Sequence, residues 1–570
     1  MRLVFSYLKP YRLRMGLGLL IKITGTVIEL FLPYILSHIL KNVVASESLS
    51  KILFWGGLMA LFSFLACLAN ITANRMAAAV SKNFAGKMRS ELFDKTLHLG
   101  ARETDRFTVP SLEARITTDT YNVYNFINMM QRMGVRAPIL LIGGITITLI
   151  MDSFLSLVMI AMLPIIFTVV YLISRRGVPL YSKVQTSVDG MVRVVREDVQ
   201  GIRVIKALSK NEYENRRYDE VNARLSRDER HAGTVMGIVN PVMTLLMNFG
   251  ITAVVALSAE RVMNHTSDPE TVIAFTQYFT LISMAMMSIS RIFVMYTKCS
   301  ASAKRISEVI NTPESYEVIE DATEYGGYVA FDNVSFSYHG RRKNLDKVTF
   351  SIKRGESLGI IGATGSGKST LIKLLVRFYD ADEGRIILDG RDVRTYSREE
   401  LADKVSVALQ NGFLYADTIE ENIKFGREIS HGDVLFAAKV AQADGFITSF
   451  PDGYSHMLAQ KGTNVSGGQK QRILIARAIA TRPEILILDD SSSALDYKTD
   501  ALLREALREA LPDTTVITVA QRVSSIKDSS LILVVDEGRV IAAGTHGELL
   551  EICPEYKEIS DSQMGGAIVE

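Results

Sequence analysis

Cysteine is scarce in this chain. Cys67, Cys299 and Cys553 are the only three among 570 residues, and they lie far apart. Such spacing excludes a disulfide framework and a thiolate metal site. An excess of charge of one sign is lacking too: 64 lysines and arginines stand against 62 aspartates and glutamates, a net charge of +2. That is too small to mark a nucleic-acid partner, and none is expected. No cleavable signal peptide is expected either, because the first apolar segment is long and carries no small-residue cleavage pattern. It reads as a membrane helix. What the chain has in excess is apolar side chains, 48% of residues against 22% charged, and they are unevenly spread. The length calls for more than one domain.

A helix crossing the hydrocarbon core takes about 20 mostly apolar residues. Charge-free runs at 52–74, 154–174 and 233–259 reach that length, as does a run over 271–290 that extends as a helix to 297. Segment 134–151 qualifies with Arg136 near its start, and segment 15–40 with Lys22 and Glu29 inside it. Seven residues apart, Lys22 and Glu29 share one helical face. Charge in lipid is costly, so that face points into the bundle or a wet cavity, or else the pair neutralises itself between helices. Both readings stay open here. The connections 41–51, 152–153 and 260–270 are short, whereas 75–133 and 175–232 are long and charged. Lys82, Lys87, Arg89, Arg175, Arg176, Arg193, Arg196 and Arg203 lie in the long ones, and Arg2, Lys9, Arg12 and Arg14 precede the first span. Positive residues favour the cytoplasm, which places the N-terminus, both long connections and the chain after the sixth span inside.

The long connections keep helical periodicity, as at Phe84, Met88, Leu92, Phe93 and Leu97, so the helices are expected to extend well beyond the bilayer. Short crosspieces at 101–107 and 210–217 would end these extensions and transmit motion. The expected organisation is an all-α membrane domain over 1–312, a polar linker over 313–327 begun by Pro313, and an α/β domain over 328–570.

The α/β domain carries the chemistry. A strand over 356–361 runs into Gly362, Ala363, Thr364, Gly365, Ser366, Gly367, Lys368, Ser369 and Thr370, and an apolar helix follows. In this P-loop pattern the backbone N–H groups curl around phosphates at the positive end of the helix. Lys368 is expected to neutralise the β- and γ-phosphates of ATP, with the Ser369 hydroxyl on Mg²⁺. The apolar run 485–489 reads as a buried strand ending in Asp489, a carboxylate placed to hold the Mg²⁺ shell. Between these halves, Ser466, Gly467, Gly468 and Gln469 open another helix and form a second anion cradle.

With these motifs in this order, the chain resembles the ATP-binding cassette (ABC) exporters, and in particular half-transporters that fuse six spans to one cassette. The resemblance covers nearly the whole chain. It implies that Tyr338 stacks on adenine, that Gln410 contacts Mg²⁺ and senses the membrane domain, and that Val465 to Gln469 is the signature sequence, with valine for the usual leucine. It further implies that Ser493, Ala494, Leu495 and Asp496 form a loop touching a partner cassette. In this family each ATP lies between one subunit's P-loop and the other's signature, so the transporter is expected to be a dimer.

Two departures stand out. Asp490 occupies the place of the family's glutamate, and Gln521 that of its histidine. Aspartate is one methylene shorter, and a positioning error near 1 Å can cost about 100-fold in rate. Glutamine donates a hydrogen bond but cannot become a cation. Gln460 also stands where a glutamate is usual before the signature. The pattern resembles bacterial heterodimeric multidrug exporters, with a degenerate ATP site here and an intact signature offered to the partner's competent site. The implied function is ATP-driven export of amphipathic small molecules across the cell membrane by a lipid-embedded, multi-pass protein. A homodimeric exporter of lipids or peptides, or an importer on the same fold, are the alternatives. No leader-peptide protease domain is expected before the first span. Met284, Met286, Met287 and Met295 make either an adaptable substrate surface or ordinary packing.

Overall fold

In the computed structural model the described residues are 1–44, 48–263, 269–313, 316–321 and 323–564. Parts of the connections 41–51 and 260–270, positions 314, 315 and 322 of the expected linker, and the last six positions of the α/β domain lie outside them. The chain divides into two compact units. One is Met1–Leu97 with Val109–Thr312, and the other is His98–Thr108 with Pro313–Glu570.

The first unit is helical. Among the described residues six segments are long and apolar enough to cross a membrane: Arg2–Val43, Leu49–Leu97, Val109–Met151, Ser153–Gln200, Asn211–Met263 and Glu270–Ile310. Helices Leu49–Leu97 and Ser153–Gln200 run unbroken for 49 and 48 residues. At about 1.5 Å per residue each is ~70 Å long, more than twice the hydrocarbon thickness. The sharp turn before Ser153–Gln200 is set by Asp152, whose carboxylate caps the helix by accepting from the Phe154 and Leu155 N–H groups at 3.0 and 3.2 Å. Helix Arg12–His38 packs closely on Leu49–Leu97, and a Cβ on Gly25 would stand 2.9 Å from the Ala69 Cβ. Small residues allow that approach where lipid supplies no hydrophobic drive between helices.

Lys22 and Glu29 do not neutralise each other. Buried Lys22 donates to Asn70 Oδ1 at 2.7 Å and Asn74 Oδ1 at 3.2 Å. Glu29 instead accepts from Arg136, Nη2 to Oε1 at 2.5 Å and Nε to Oε2 at 3.3 Å. Their partners sit on two different helices, which periodicity along one helix does not reveal.

Near its other end the bundle holds a second polar network. A π-bulged turn, Arg115–Asp119, buries both its end residues. Asp119 accepts from Arg305 Nε at 2.7 Å and Ser302 Oγ at 2.8 Å, while Arg115 meets Glu308 at 3.2 Å.

One crosspiece stands where the sequence places it and the other does not. Helix Ala101–Phe107 is present and belongs to the second unit, where Tyr379 donates to Asp105 at 2.5 Å and Arg102 pairs with Asp382 at 3.3 Å. The second short helix is Ile202–Ala207, not 210–217, which forms the opening turns of helix Asn211–Gly237. The break comes at Gly201 and the turn ends at Ser209 in a left-handed conformation, φ 52°.

Among its described residues the second unit has ten strands: β1 Val329–Phe336, β2 Leu345–Ile352, β3 Leu358–Ile361, β4 Glu383–Leu388, β5 Arg391–Asp392, β6 Val405–Ala408, β7 Ile485–Asp489, β8 Thr515–Val519, β9 Leu531–Asp536 and β10 Arg539–Gly544. A four-stranded antiparallel sheet runs β2-β1-β4-β5, and a six-stranded sheet runs β10-β9-β3-β8-β7-β6. In the larger sheet β9, β3, β8, β7 and β6 are parallel. Strands β3 and β7 are buried at every position, as continuous apolar runs must be when a parallel sheet is covered on both faces. What remains described of the linker is bound down. Arg377 donates to the Glu317 carbonyl at 2.5 Å, and the Tyr316 ring meets the guanidinium groups of Arg377 and Arg398 at 4.0 and 4.8 Å.

Candidate functional site

Strand order assembles the site. In an open parallel sheet, ligands bind outside the carboxyl ends of the strands. Four spatial neighbours, β3-β8-β7-β6, each deliver a candidate residue at that end. The P-loop follows β3, Gln521 follows β8, Asp489 and Asp490 end and follow β7, and Gln410 follows β6. Residues more than 150 positions apart in sequence, such as Ser369 and Gln521, thus share one edge.

The P-loop glycines are there for close approach. A Cβ on Gly362 would stand 2.0 Å from the Val535 carbonyl, and Gly367 has φ 108° with the Asn344 carbonyl 2.9 Å from where its Cβ would be. Helix Lys368–Leu375 begins at that glycine. Lys368 Nζ donates to the loop's own carbonyls at Gly362 and Ala363, 2.8 and 2.7 Å away. Burial lowers its pKa, with Asp490 and Asp489 opposing. Ser366 Oγ is buried without a hydrogen-bond partner among the described residues. An orphaned hydroxyl within a P-loop fits a phosphate oxygen. Ser369 Oγ donates to Asp489 Oδ1 at 3.2 Å. These are two hard oxygen donors at one point, the set Mg²⁺ prefers. Burial raises the Asp489 pKa, and the Ser369 hydrogen bond works against that shift.

Asp490 is the centre of a second cluster. Its carboxylate Oδ2 accepts from Gln410 Nε2 at 2.8 Å and from Gln521 Nε2 at 2.9 Å. Burial raises its pKa too, while the two amides, Lys368 and Arg522 pull the other way. Its φ is 49°, and its backbone N–H is tied to the Val519 carbonyl at 2.9 Å. The structure therefore joins Gln410 to Asp490 and not to Ser369 or Asp489. Tyr338 lies at the flank of the P-loop, its hydroxyl 3.3 Å from Thr370 Oγ1 and Lys373 Nζ 5.4 Å from its ring centre.

The signature residues open helix Gly467–Ile479 through a capping box. Gln469 N–H donates to Ser466 Oγ at 3.2 Å, and Ser466 N–H donates to Gln469 Oε1 at 2.9 Å. A Cβ on Gly468 would lie 3.1 Å from the Ala494 carbonyl, so the signature abuts the Ser493–Asp496 segment, whereas Gly467 faces open space. Asp496 caps the next helix, Tyr497–Ala510, by accepting from the Thr499 N–H at 2.9 Å. Among the described residues no hydrogen bond joins the signature to this chain's own P-loop.

Two contributors have no local sequence signal. Gln563, on the C-terminal helix Pro554–Met564, donates to the Gln521 carbonyl at 2.8 Å and accepts from the Val523 N–H at 2.8 Å. Arg522 donates to the Leu495 carbonyl at 3.1 Å and lies over the Tyr497 ring at 4.5 Å. Only the chain's fold brings either one to the site.

Comparison with known proteins agrees with this arrangement. Residues 15–286 match the family described as ABC transporter transmembrane region, and residues 345–493 match the family described as ABC transporter. The chain is 34% identical over 568 residues to the ABC transporter ATP-binding protein YfiB of Bacillus subtilis, covering 99% of each. It is 32% identical over 576 residues to the ABC transporter ATP-binding protein MT1311 of Mycobacterium tuberculosis, covering 100% of this chain and 99% of the other. In fold it is similar to a bacterial Atm1-family ABC exporter solved with ATP bound, at a TM-score of 0.81 over 96% of this chain and 98% of that one, with 24% identity. Exporters of this architecture work as dimers. The chain belongs to the ABC transporters: it is a multi-pass membrane protein of exporter fold whose ATP-binding domain couples hydrolysis of ATP, with Mg²⁺, to transport.

Proposed function

We propose that this chain is one half of a heterodimeric exporter of amphipathic small molecules and that its own ATP site is degenerate. The observation that carries this reading is the Asp490 carboxylate held between two neutral amides, Gln410 and Gln521. A water activated for attack on the γ-phosphate needs a carboxylate that reaches it and a partner that stabilises the developing charge. Asp490 is short for the first task, and Gln521 brings no positive charge to the second.

Binding, in contrast, is fully provided for. Lys368 supplies the cation, the P-loop N–H groups the cradle, Tyr338 a face for adenine, and Ser369 and Asp489 the oxygens that would hold Mg²⁺. When bound, Mg²⁺ neutralises phosphate charge and orients the phosphates. The capped Ser466–Gln469 turn, with Gly467 open, is ready to complete the partner's site.

ATP closes the two ATP-binding domains on each other and the long helices turn the cavity outward; hydrolysis at the partner's site resets it. On this reading the ATP-binding domain, the N-terminus and both long connections are cytoplasmic. Helix Ile202–Ala207 leaves Val204 and nearby Leu208 61% and 63% exposed within its own chain. A crosspiece with so much uncovered apolar surface suits docking on the other subunit.

The test is co-purification of the tagged chain from its native membrane. A second half-transporter with glutamate and histidine at the positions of Asp490 and Gln521 is the expected partner. A homodimer that hydrolyses ATP and transports by itself would overturn the proposal.

A further inference from the structure

Within the apolar segments 15–40, 52–74, 134–151, 154–174, 233–259 and 271–297 only four side chains carry full charge: Lys22, Glu29, Arg136 and Arg291. Three are cations and one is a carboxylate. Ionisable residues at membrane depth are expensive, and their usual justification is a transported or coupled species. The single carboxylate is already committed, because Glu29 accepts both of its hydrogen bonds from Arg136. Lys22 is satisfied by two neutral amides and has no counter-ion of its own among the described residues. The charges that act on it are Arg136 and Arg132, which repel, and Glu29, which attracts. Arg291 is exposed and has no ion-pair partner among the described residues. A positive excess therefore remains in the bundle.

Its placement is specific. A notch of about 50 Å³ opens between helices Arg136–Met151 and Pro269–Ile310, with Arg136, Leu140, Met284 and Ser288 among its lining. Arg291 follows Ser288 by three residues and Met284 by seven, so it continues the same helical face. Arg132 closes the preceding helix, Thr120–Arg132, and the turn 133–135 separates it from Arg136, which opens the opposing helix. The notch itself is otherwise apolar, with the thioether of Met284 able to adapt to varied shapes. Apolar walls end in cations with no free carboxylate.

Resting on the proposed export of amphipathic molecules, we infer that the transported class is the amphipathic anion. The apolar body lies along the Leu140 and Met284 faces, and a carboxylate, sulfonate or phosphate head meets Arg136 and Arg291. Glu29 pairs with the Arg136 guanidinium and offsets part of its charge, so it tempers the anion site and is not a site for a cationic drug.

The experiment uses the full transporter with its partner subunit in phosphatidylcholine vesicles. Uptake is followed for three fluorescent probes that share one aromatic body and carry a sulfonate, a hydroxyl or a trimethylammonium head. ATP-dependent uptake of the sulfonate probe is expected to be fastest. Arg291→Ala should raise its half-saturating concentration about 10-fold, the usual loss for one charge-assisted contact, with little change for the hydroxyl probe. Arg291→Lys should retain the sulfonate preference and Arg291→Glu should turn it toward trimethylammonium. Glu29→Gln, which frees the Arg136 charge, should tighten sulfonate uptake. Wild-type preference for the trimethylammonium probe, or an unchanged order of probes in Arg291→Glu, would overturn the inference while leaving amphiphile export standing. Uptake of none of the three, with ATP hydrolysis intact, would instead overturn amphiphile export itself. Repeating the assay with phosphatidylglycerol in the vesicles identifies the source of the anion: competition assigns the cleft to a lipid headgroup, and undiminished uptake assigns it to a soluble amphiphile. Either supports an anion-selective site.

Discussion

At the scale of single residues, the account turns on side chains that bind well and react poorly. Asp490 is buried, bound by two amides and fixed in a left-handed backbone conformation. Restoring the family's pair, Asp490→Glu with Gln521→His, should raise turnover at this chain's own site by up to ~100-fold, the scale of a positioning error near 1 Å. The measurement is steady-state ATPase with the partner's catalytic glutamate disabled. Lys368→Ala should weaken nucleotide binding at the same site by about 10-fold or more, since the phosphates lose a charge-assisted donor. Titration of labelled nucleotide, again with the partner's site disabled, reads this directly. Asp489 has a raised pKa, chiefly from burial. It therefore takes up a proton at a higher pH than an exposed aspartate, and a protonated carboxyl is a poor ligand for Mg²⁺. Mg-nucleotide affinity should fall as the pH is lowered, whereas in Asp489→Asn it should be low and flat with pH.

At the scale of elements, the site hangs on strands and on one distant helix. Helix Pro554–Met564 reaches back through Gln563 to the Gln521 carbonyl and the Val523 N–H, on either side of Arg522. Gln563→Ala removes two hydrogen bonds from that loop and should lower nucleotide affinity several-fold, by about 0.5–1.5 kcal/mol per bond. The helix itself should persist, because Tyr556 is fully buried and Ile559 packs beside it. Nucleotide titration together with thermal unfolding separates the two effects. The polar network of the bundle makes a different forecast. Arg305→Met leaves Asp119 buried without its main cation, a loss of about 3–5 kcal/mol, whereas Arg305→Met with Asp119→Leu should recover much of the lost melting temperature. Unfolding of the purified transporter in detergent tests both variants.

What was legible in the sequence follows from range. The β3–P-loop–helix unit and the run ending in Asp489 announce themselves through contiguous residues: a continuous apolar strand, obligatory glycines, and a helix that starts on cue. Six membrane segments are equally plain, because lipid demands length and apolarity of each one alone. The second crosspiece was misplaced since Ile202, Val204 and Leu208 are apolar yet exposed, so their pattern mimics packing inside the bundle. Lys22 and Glu29 were visible as costly charges, but Asn70, Asn74 and Arg136 find them only through helix packing. Gln563 sits in an ordinary polar tail and gains its role only when the C-terminal helix docks.

At the scale of the whole molecule, the central claim is that two unequal ATP sites share one transporter and that this chain contributes the weaker P-loop site and the intact signature. The crossed ATPase pattern tests it most directly. Steady-state hydrolysis at saturating Mg-ATP is measured for the heterodimer carrying Asp490→Ala, for one carrying Ser466→Ala with Gly468→Asp, and for one with the partner's catalytic glutamate replaced. Gly468 lies against the Ala494 carbonyl, so an aspartate there distorts the signature turn as well as adding repulsive charge. The account predicts that Asp490→Ala keeps much of the wild-type rate, while the signature double variant and the partner's glutamate variant each lose nearly all of it. Loss of activity in Asp490→Ala as complete as in the signature variant would contradict the account and make Asp490 a working catalytic residue.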